Sequence, residues 1–307
     1  MLAYALRRLL WSVPTLLVIV TAAFFMMRIA PGGPFDEERQ LPPEIERNLL
    51  AAYNLDQPLW RQYLDYLGGL LRGDLGPSYR SIDFTVAELI AAGFPASLKV
   101  GGSAILIAVV LGVGLGTIAA LRQNATTDHV VMGLAMTGIA IPNFVMAPLL
   151  TLVFGVMLGV LPVAGWGGGA LRNLVLPVTA LALPQVAYIA RLTRGSMIEV
   201  LGQNYIRTAR AKGLREQIVV VRHALRPALL PVISYLGPAT AALITGSVVI
   251  EKIFGIPGIG RYFVQGALNR DYTVVMGVVI FYAALIMMLN LIVDLAYGLL
   301  DPRAKAR

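Results

Sequence analysis

Six long apolar runs separated by polar stretches organise this 307-residue chain. A helix needs ~20 consecutive, mostly apolar residues to cross the hydrocarbon core of a bilayer. The runs at about Leu9 to Ala30, Ser97 to Leu121, Val130 to Val160, Leu174 to Leu192, Ala228 to Ile250 and Thr273 to Leu299 fit that requirement. The pattern predicts an all-α polytopic membrane protein with six transmembrane helices. Arg7 and Arg8 before the first run imitate a signal peptide, but the run is too long for a signal core and Pro31 follows it, so a retained anchor is expected.

Between the first two runs, residues 31–96 mix the acidic residues Asp36, Glu37, Glu38, Glu44 and Glu46 with Tyr53, Leu59, Trp60, Tyr63 and Leu67. That alternation predicts short amphipathic helices, with Pro42, Pro43 and Pro58 suited to helix starts. Glu251 to Tyr272 opens with Phe254-Gly255-Ile256-Pro257-Gly258-Ile259-Gly260, a run that must turn rather than span. The expected organisation is a first span within 1–30, a helical segment over 31–96 and a five-span core over 97–307.

Composition strengthens the membrane reading, since 57% of residues are hydrophobic and only 14% charged. The formal net charge of +8 does not form one continuous basic face, so nucleic acid is not expected as a partner. Positive charge marks the cytoplasmic side of membrane proteins. With the N-terminus inside, the inner segments hold Arg7, Arg8, Arg122, Arg191, Arg194, Arg207, Arg210, Lys212, Arg215, Arg222, Arg226, Arg303, Lys305 and Arg307, 14 of the 25 Lys and Arg. Both termini are then cytoplasmic, and residues 31–96 are extracytoplasmic.

The basic stretch Arg191 to Pro227 is long for a connection between spans and has helical periodicity. Met197, Leu201 and Tyr205 recur on one face, while Gln203, Arg207 and Arg210 fall opposite. Gly213 supplies a stop. A second helix, about Arg215 to Leu225, is expected to bury Ile218, Val221 and Leu225, with Pro227 opening the next span. Such a unit has an apolar side to pack beneath the bundle and a basic side to meet a protein or anionic lipid headgroups.

Little else carries chemistry. No Gly-Lys pair exists, so a phosphate-binding loop of the Gly-x-x-x-x-Gly-Lys type is absent. The chain has no Cys, and its two His residues, His129 and His223, lie far apart in sequence, so neither a catalytic triad nor a metal cluster is expected. Gly112-Val113-Gly114-Leu115-Gly116 is read as a close helix approach. Asp294 needs a partner, and a structural hydrogen bond or ion pair is the expectation. Asn143, Gln185, Tyr188, Ser234, Tyr235, Thr240 and Thr245 suit a weakly selective hydrated passage, and none is singled out as a substrate ligand.

In the loop, Tyr205-Ile206-Arg207-Thr208-Ala209-Arg210-Ala211-Lys212-Gly213-Leu214 followed by Arg222-His223-Ala224-Leu225 resembles the permease subunits of ATP-binding-cassette importers, specifically B-type subunits of the oligopeptide and dipeptide branch. The branch's other signatures are similar to Arg7-Arg8 with Pro14-Thr15-Leu16, Arg28 to Gly32, Gly73 to Ser78, Arg194 to Met197, Gly255 to Gly260, and Asn290 to Asp294 with Tyr297 and Asp301-Pro302. The general permease loop motif fits less well, with Arg207 where that motif has Glu and His223 where it has Ile.

The resemblance implies alternating access in a bacterial cytoplasmic membrane, with oligopeptides as cargo and dipeptides, nickel or glutathione as alternatives. It implies a second, C-type permease subunit, two ATPase subunits holding ATP and Mg, and an extracytoplasmic peptide-binding protein. It assigns Arg207, Thr208, Ala209, Arg210, Ala211, Lys212, Gly213 and Leu214 to ATPase coupling, within a loop of about 193–227. Docking of the binding protein is expected at Gly73, Asp74, Leu75, Gly76, Pro257, Gly258 and Gly260. No catalytic, metal or cofactor residue is expected in the chain itself. From a different class, an ion-coupled carrier would need buried titratable groups that the spans hardly contain.

Overall fold

The computed structural model describes residues 2–29, 33–35, 42–81 and 83–300. Pro31, Gly32, Asp36, Glu37, Glu38, Asp301, Pro302, Arg303, Lys305 and Arg307 lie outside the described residues. Among the described residues every named element is helical.

Helix α1 (Leu2–Ile29) is followed by two short helices, α2 (Pro43–Ala52) and α3 (Leu59–Leu71). Pro42 and Pro58 precede their first turns, as the sequence pattern predicts. Helix α4 (Val86–Leu121) begins well before Ser97, because Thr85 and Glu88 form a reciprocal cap at its start. The Thr85 amide donates to Glu88 Oε2 at 2.8 Å, and the Glu88 amide donates to Thr85 Oγ1 at 3.3 Å.

The expected single span from Val130 to Val160 is broken instead. Helix α5 (Thr126–Ala140) meets α6 (Asn143–Leu150), which continues through a π-helical turn at Thr151–Met157, at an angle of 104°. Pro142 explains the break, since a residue before proline is driven out of the helical region and Ile141 is extended (φ −91°, ψ 116°).

Helix α7 (Leu171–Leu201) is the central strut and packs lengthwise on α4. Gly112 and Gly116 make room for this: a Cβ at Gly112 would lie 2.8 Å from Ile189 Cβ, and one at Gly116 2.7 Å from Thr193 Cβ. The expected close approach at this glycine string is therefore present.

Beyond α7 come α8 (Asn204–Ala211), α9 (Glu216–Ile218), a π-helical segment at Val219–Ala224, α10 (Leu225–Ala228) and α11 (Leu230–Ile244). The stretch Glu216–Ala228 meets α11 at 53°, so Pro227 sits inside the loop's helical arm rather than opening the span. Pro231, in the first turn of α11, takes that position. The chain then forms α12 (Val248–Phe254), α13 (Ile259–Leu268) and α14 (Tyr272–Leu300).

Among the described residues four helices, at Leu6–Ile29, Val86–Leu121, Leu171–Leu201 and Tyr272–Ala296, are long and apolar enough to cross a membrane, and counting each of the two bent pairs as one span raises this to six. Helix α1 is held to α14 in part by an ion pair in which Arg8 Nε donates to Asp294 Oδ2 at 2.6 Å. That is the structural partner expected for Asp294.

Candidate functional site

The basic loop folds into a two-armed knob beyond the end of α7. Helix α8 buries Ile206 and Ala209 in a cluster with Ala120, Met197, Val219, Val220, Ala224 and Ala228. Two expected faces differ from those observed. Tyr205 is exposed, because α7 ends at Leu201 and the chain turns at Gly202 and Gln203, which resets the rotation before α8 begins. Ile218 and Val221 are exposed too, and Val219, Val220 and Ala224 are buried in their place. The cause is the π-helical segment, whose i→i+5 bonding shifts the register away from the α-helical period used to assign faces.

Of the residues expected to couple to an ATPase, Arg207, Thr208, Arg210, Ala211, Lys212, Gly213 and Leu214 are exposed, whereas Ala209 is buried. Gly213 adopts φ +74° immediately after the Lys212 cap, a left-handed position that ends α8. Across this turn Arg210 Nη2 donates to Glu216 Oε1 at 2.6 Å and Arg210 Nε to Glu216 Oε2 at 3.1 Å. These hydrogen bonds hold the Glu216 carboxyl below its ordinary value and raise the Arg210 guanidinium. The knob thus presents Arg207, Arg210 and Lys212 on its surface, and Arg210 also braces the turn.

A second ion pair, which sequence reasoning missed, lies beneath the knob. Arg194 of α7 donates from Nε to Asp128 Oδ1 and from Nη2 to Asp128 Oδ2, both at 2.6 Å, and the Asn124 amide donates to Oδ2 at 2.9 Å. Asp128 is almost wholly buried at the start of α5. This fork geometry clamps α5 to α7 close to the loop. Asp128 stands in a polar connection, so nothing local in the sequence marks it as buried.

At the opposite end of the bundle, the two expected docking stretches approach one another. Leu75 packs into a cluster with Ile259 and Val274. The Asp74 carboxylate accepts from the Gly76 amide at 2.8 Å, and Thr273 Oγ1 donates to the Pro77 carbonyl at 2.6 Å. Gly73 and Asp74 are exposed, and Leu75, Gly76 and Pro257 are half-buried. Gly258 and Gly260 are buried, pressed against the Glu251 carboxylate, so neither presents a surface to a partner.

Glu251, assigned no role from the sequence, organises that turn. Ser97 Oγ of α4 donates to Glu251 Oε1 at 2.6 Å and accepts from the Ile259 amide at 2.9 Å. Oε2 faces the backbone amides of Gly260 and Arg261 at the start of α13. Burial pushes the Glu251 carboxyl above its usual value, opposed in part by the Ser97 hydrogen bond and nearby backbone amides. A carboxylate followed seven and nine residues later by glycines was the signal available.

Residues 112–306 match the model of the binding-protein-dependent transport system inner membrane component family. The chain is 55% identical over 305 residues to the oligopeptide transport system permease protein OppB of Salmonella typhimurium, covering 99% of this chain and all of the relative. It is 49% identical to the dipeptide transport system permease protein DppB of Bacillus subtilis, covering 99% of this chain and 98% of that one. A solved structure of the MetNI methionine ABC transporter in an inward facing conformation superposes with a TM-score of 0.57 at 16% identity, over 70% of this chain and 97% of that one. That likeness concerns the fold alone. With its bent spans, its clamped basic loop and these full-length relatives, the chain belongs to the binding-protein-dependent transport system inner membrane components, the permeases of ABC importers.

Proposed function

We propose that this chain is the B-type permease subunit of an ATP-driven importer that carries oligopeptides across a bacterial cytoplasmic membrane by alternating access. It pairs with a C-type permease subunit, two ATPase subunits that hold ATP and Mg, and an extracytoplasmic peptide-binding protein. Both termini and the basic knob face the cytoplasm.

The observation that carries the reading is the knob: an exposed basic helix fixed to α7 through a buried apolar base and, one step inward, through the Arg194 fork on Asp128. A rigid body so anchored transmits a push rather than absorbing it. Arg207, Thr208, Arg210, Ala211, Lys212, Gly213 and Leu214 form the ATPase contact, with Ala209 supporting it from within. Gly73, Asp74, Leu75, Gly76 and Pro257 lie where the binding protein docks, and Gly258 and Gly260 shape that surface from beneath.

Dipeptides are the second reading, favoured by the 49% identity to the Bacillus subtilis dipeptide permease protein. Purification of the intact complex with subunit identification by mass spectrometry, followed by uptake of labelled tripeptides and dipeptides into proteoliposomes, tests both. ATP-dependent peptide uptake that needs all the subunits is the expected result. Solute movement by this chain alone would overturn the reading.

A further inference from the structure

Three polar side chains of the sequence-predicted passage, Gln185, Tyr188 and Tyr235, meet between α7 and α11. Tyr188 and Tyr235 stack with ring centroids 4.3 Å apart and planes 28° from parallel. The Tyr235 hydroxyl donates to Gln185 Oε1 at 2.5 Å. Arg191, three residues beyond Tyr188, lies over its ring with the guanidinium carbon 5.1 Å from the centroid. Gln185, Tyr188 and Arg191 therefore run along one side of α7.

This patch is open. The two tyrosines and Gln185 are half-buried, and Arg191 and Ser234 are exposed. Among the described residues nothing accepts from Gln185 Nε2, and the Tyr188 hydroxyl has no hydrogen-bond partner. A lipid-facing surface strands such donors, whereas polar groups inside spans face a water-filled path or a protein. By contrast, Leu10, Trp11, Val18 and Met26 on α1, and Leu106, Val110 and Leu111 on α4, are large apolar residues left exposed. Thr245, another polar residue of the sequence-predicted passage, is not part of the patch, and its Oγ1 donates back to the Ala241 carbonyl at 2.9 Å.

We infer that Gln185, Tyr188, Tyr235 and Arg191 form a contact site for a peptide in transit, an inference that rests on the peptide-importer reading above. The Gln185 amide donates to a peptide carbonyl, and the stacked rings offer a flat apolar face with hydroxyls at its edge. The Arg191 guanidinium pairs with the C-terminal carboxylate. Backbone amides and a terminal carboxylate are common to all linear peptides, so the site reads the class without reading the sequence. Single neutral hydrogen bonds are modest in net strength, which lets the cargo leave.

The chain contains no cysteine, so Tyr188→Cys introduces its single thiol. The nucleotide-free complex, in nanodiscs, is exposed to a membrane-impermeant methanethiosulfonate, with and without trialanine, and the adduct on this chain is quantified by mass spectrometry. The introduced thiol should react, and trialanine at about ten times its Kd should slow the reaction about tenfold, because the free fraction falls as 1/(1 + [L]/Kd). Leu10→Cys, on the apolar face of α1, should be indifferent to the peptide. If Tyr188→Cys does not assemble, Gln185→Cys, one turn away in the same patch, carries the same test.

An inert thiol in the Tyr188→Cys complex, buried by lipid or by the second permease subunit, overturns the site, and so does a labelling rate that trialanine leaves unchanged. Trialanine uptake by the parent complex is measured in parallel. Uptake without protection overturns the site alone, whereas a complex that does not import peptide overturns the underlying reading and the site with it.

Discussion

Two glycine-bearing turns join short helices at opposite ends of the bundle, and they use glycine for opposite reasons. At the basic end, Gly213 takes φ +74° and a Cβ there would meet nothing within 4 Å. Its glycine supplies handedness. At the far end, Gly258 has ordinary extended backbone (φ −91°, ψ 178°), but its Cβ would collide with the Glu251 carboxylate, and that of Gly260 would lie 2.8 Å from Glu251 Oε2. Those glycines supply room. The first turn is an exposed tip, the second a packed plug, and a glycine-rich motif in a sequence does not say which of the two it encodes.

The largest expected effect concerns what lies beneath the basic turn. Asp128→Ala leaves the Arg194 charge without its partner in a mostly buried site, a loss that should exceed that of either glycine variant below. Thermal unfolding of the purified complex should register it, with peptide-dependent ATP hydrolysis falling in step. If hydrolysis stayed coupled to uptake in Asp128→Ala, the knob would not act through its anchor.

Next comes the plug. Gly258→Ala should destabilise by about 2 kcal/mol through overpacking. Adding Glu251→Ala should recover part of that loss, because it removes the atoms in the way. Equal losses in the single and double variants would show that the glycine is needed for its backbone after all.

Gly213→Ala should cost about 1 kcal/mol, the strain of a side chain at left-handed φ, and no second-site substitution should relieve it. Its effect should be larger on coupling than on unfolding, since the tip is exposed. A loss of stability matching that of Gly258→Ala would erase the distinction between the turns.

The smallest effects are the pH dependences, which should have opposite signs. Glu251 has a raised pKa, so the folded state keeps a proton that the unfolded chain gives up. Its contribution is full below the ordinary carboxylate value and fades as pH rises through the raised one. Glu216 has a lowered pKa, so its contribution is present above the ordinary value and fades as pH falls through the lowered one. Glu251→Gln and Glu216→Gln should each flatten the matching slope in unfolding measured against pH. The Glu216 slope should be the weaker because its ion pair is exposed and screened. Slopes of the same sign would contradict the contrast.

Several elements were legible in the sequence because their causes are local. Apolar run length marked the long helices, the prolines marked α2 and α3, and Gly213 marked the end of α8. Asp294 was recognisable as needing a partner, and Arg8 supplies it. The candidate site was legible as a basic helix and turn, but not in the orientation of its arms. The helix break at Gly202 and Gln203 and the π-helical segment after Ile218 each rotate the following residues, so an α-helical wheel buried Tyr205, Ile218 and Val221 on paper while the fold exposes them. The fork between Asp128 and Arg194 joins residues 66 positions apart, and the Ser97 bond to Glu251 joins residues 154 apart. No periodicity reports such pairs.

By itself, then, the order of apolar and charged residues determined a polytopic helical protein with a long basic loop between spans and no Gly-Lys phosphate-binding motif, because solvation acts residue by residue along a helix. Only the tertiary structure decided where spans bend, which glycines yield space, which carboxylates are buried and that Tyr188 meets Tyr235. Those outcomes depend on atoms brought together from distant parts of the chain, and their energies exist only once the helices have packed.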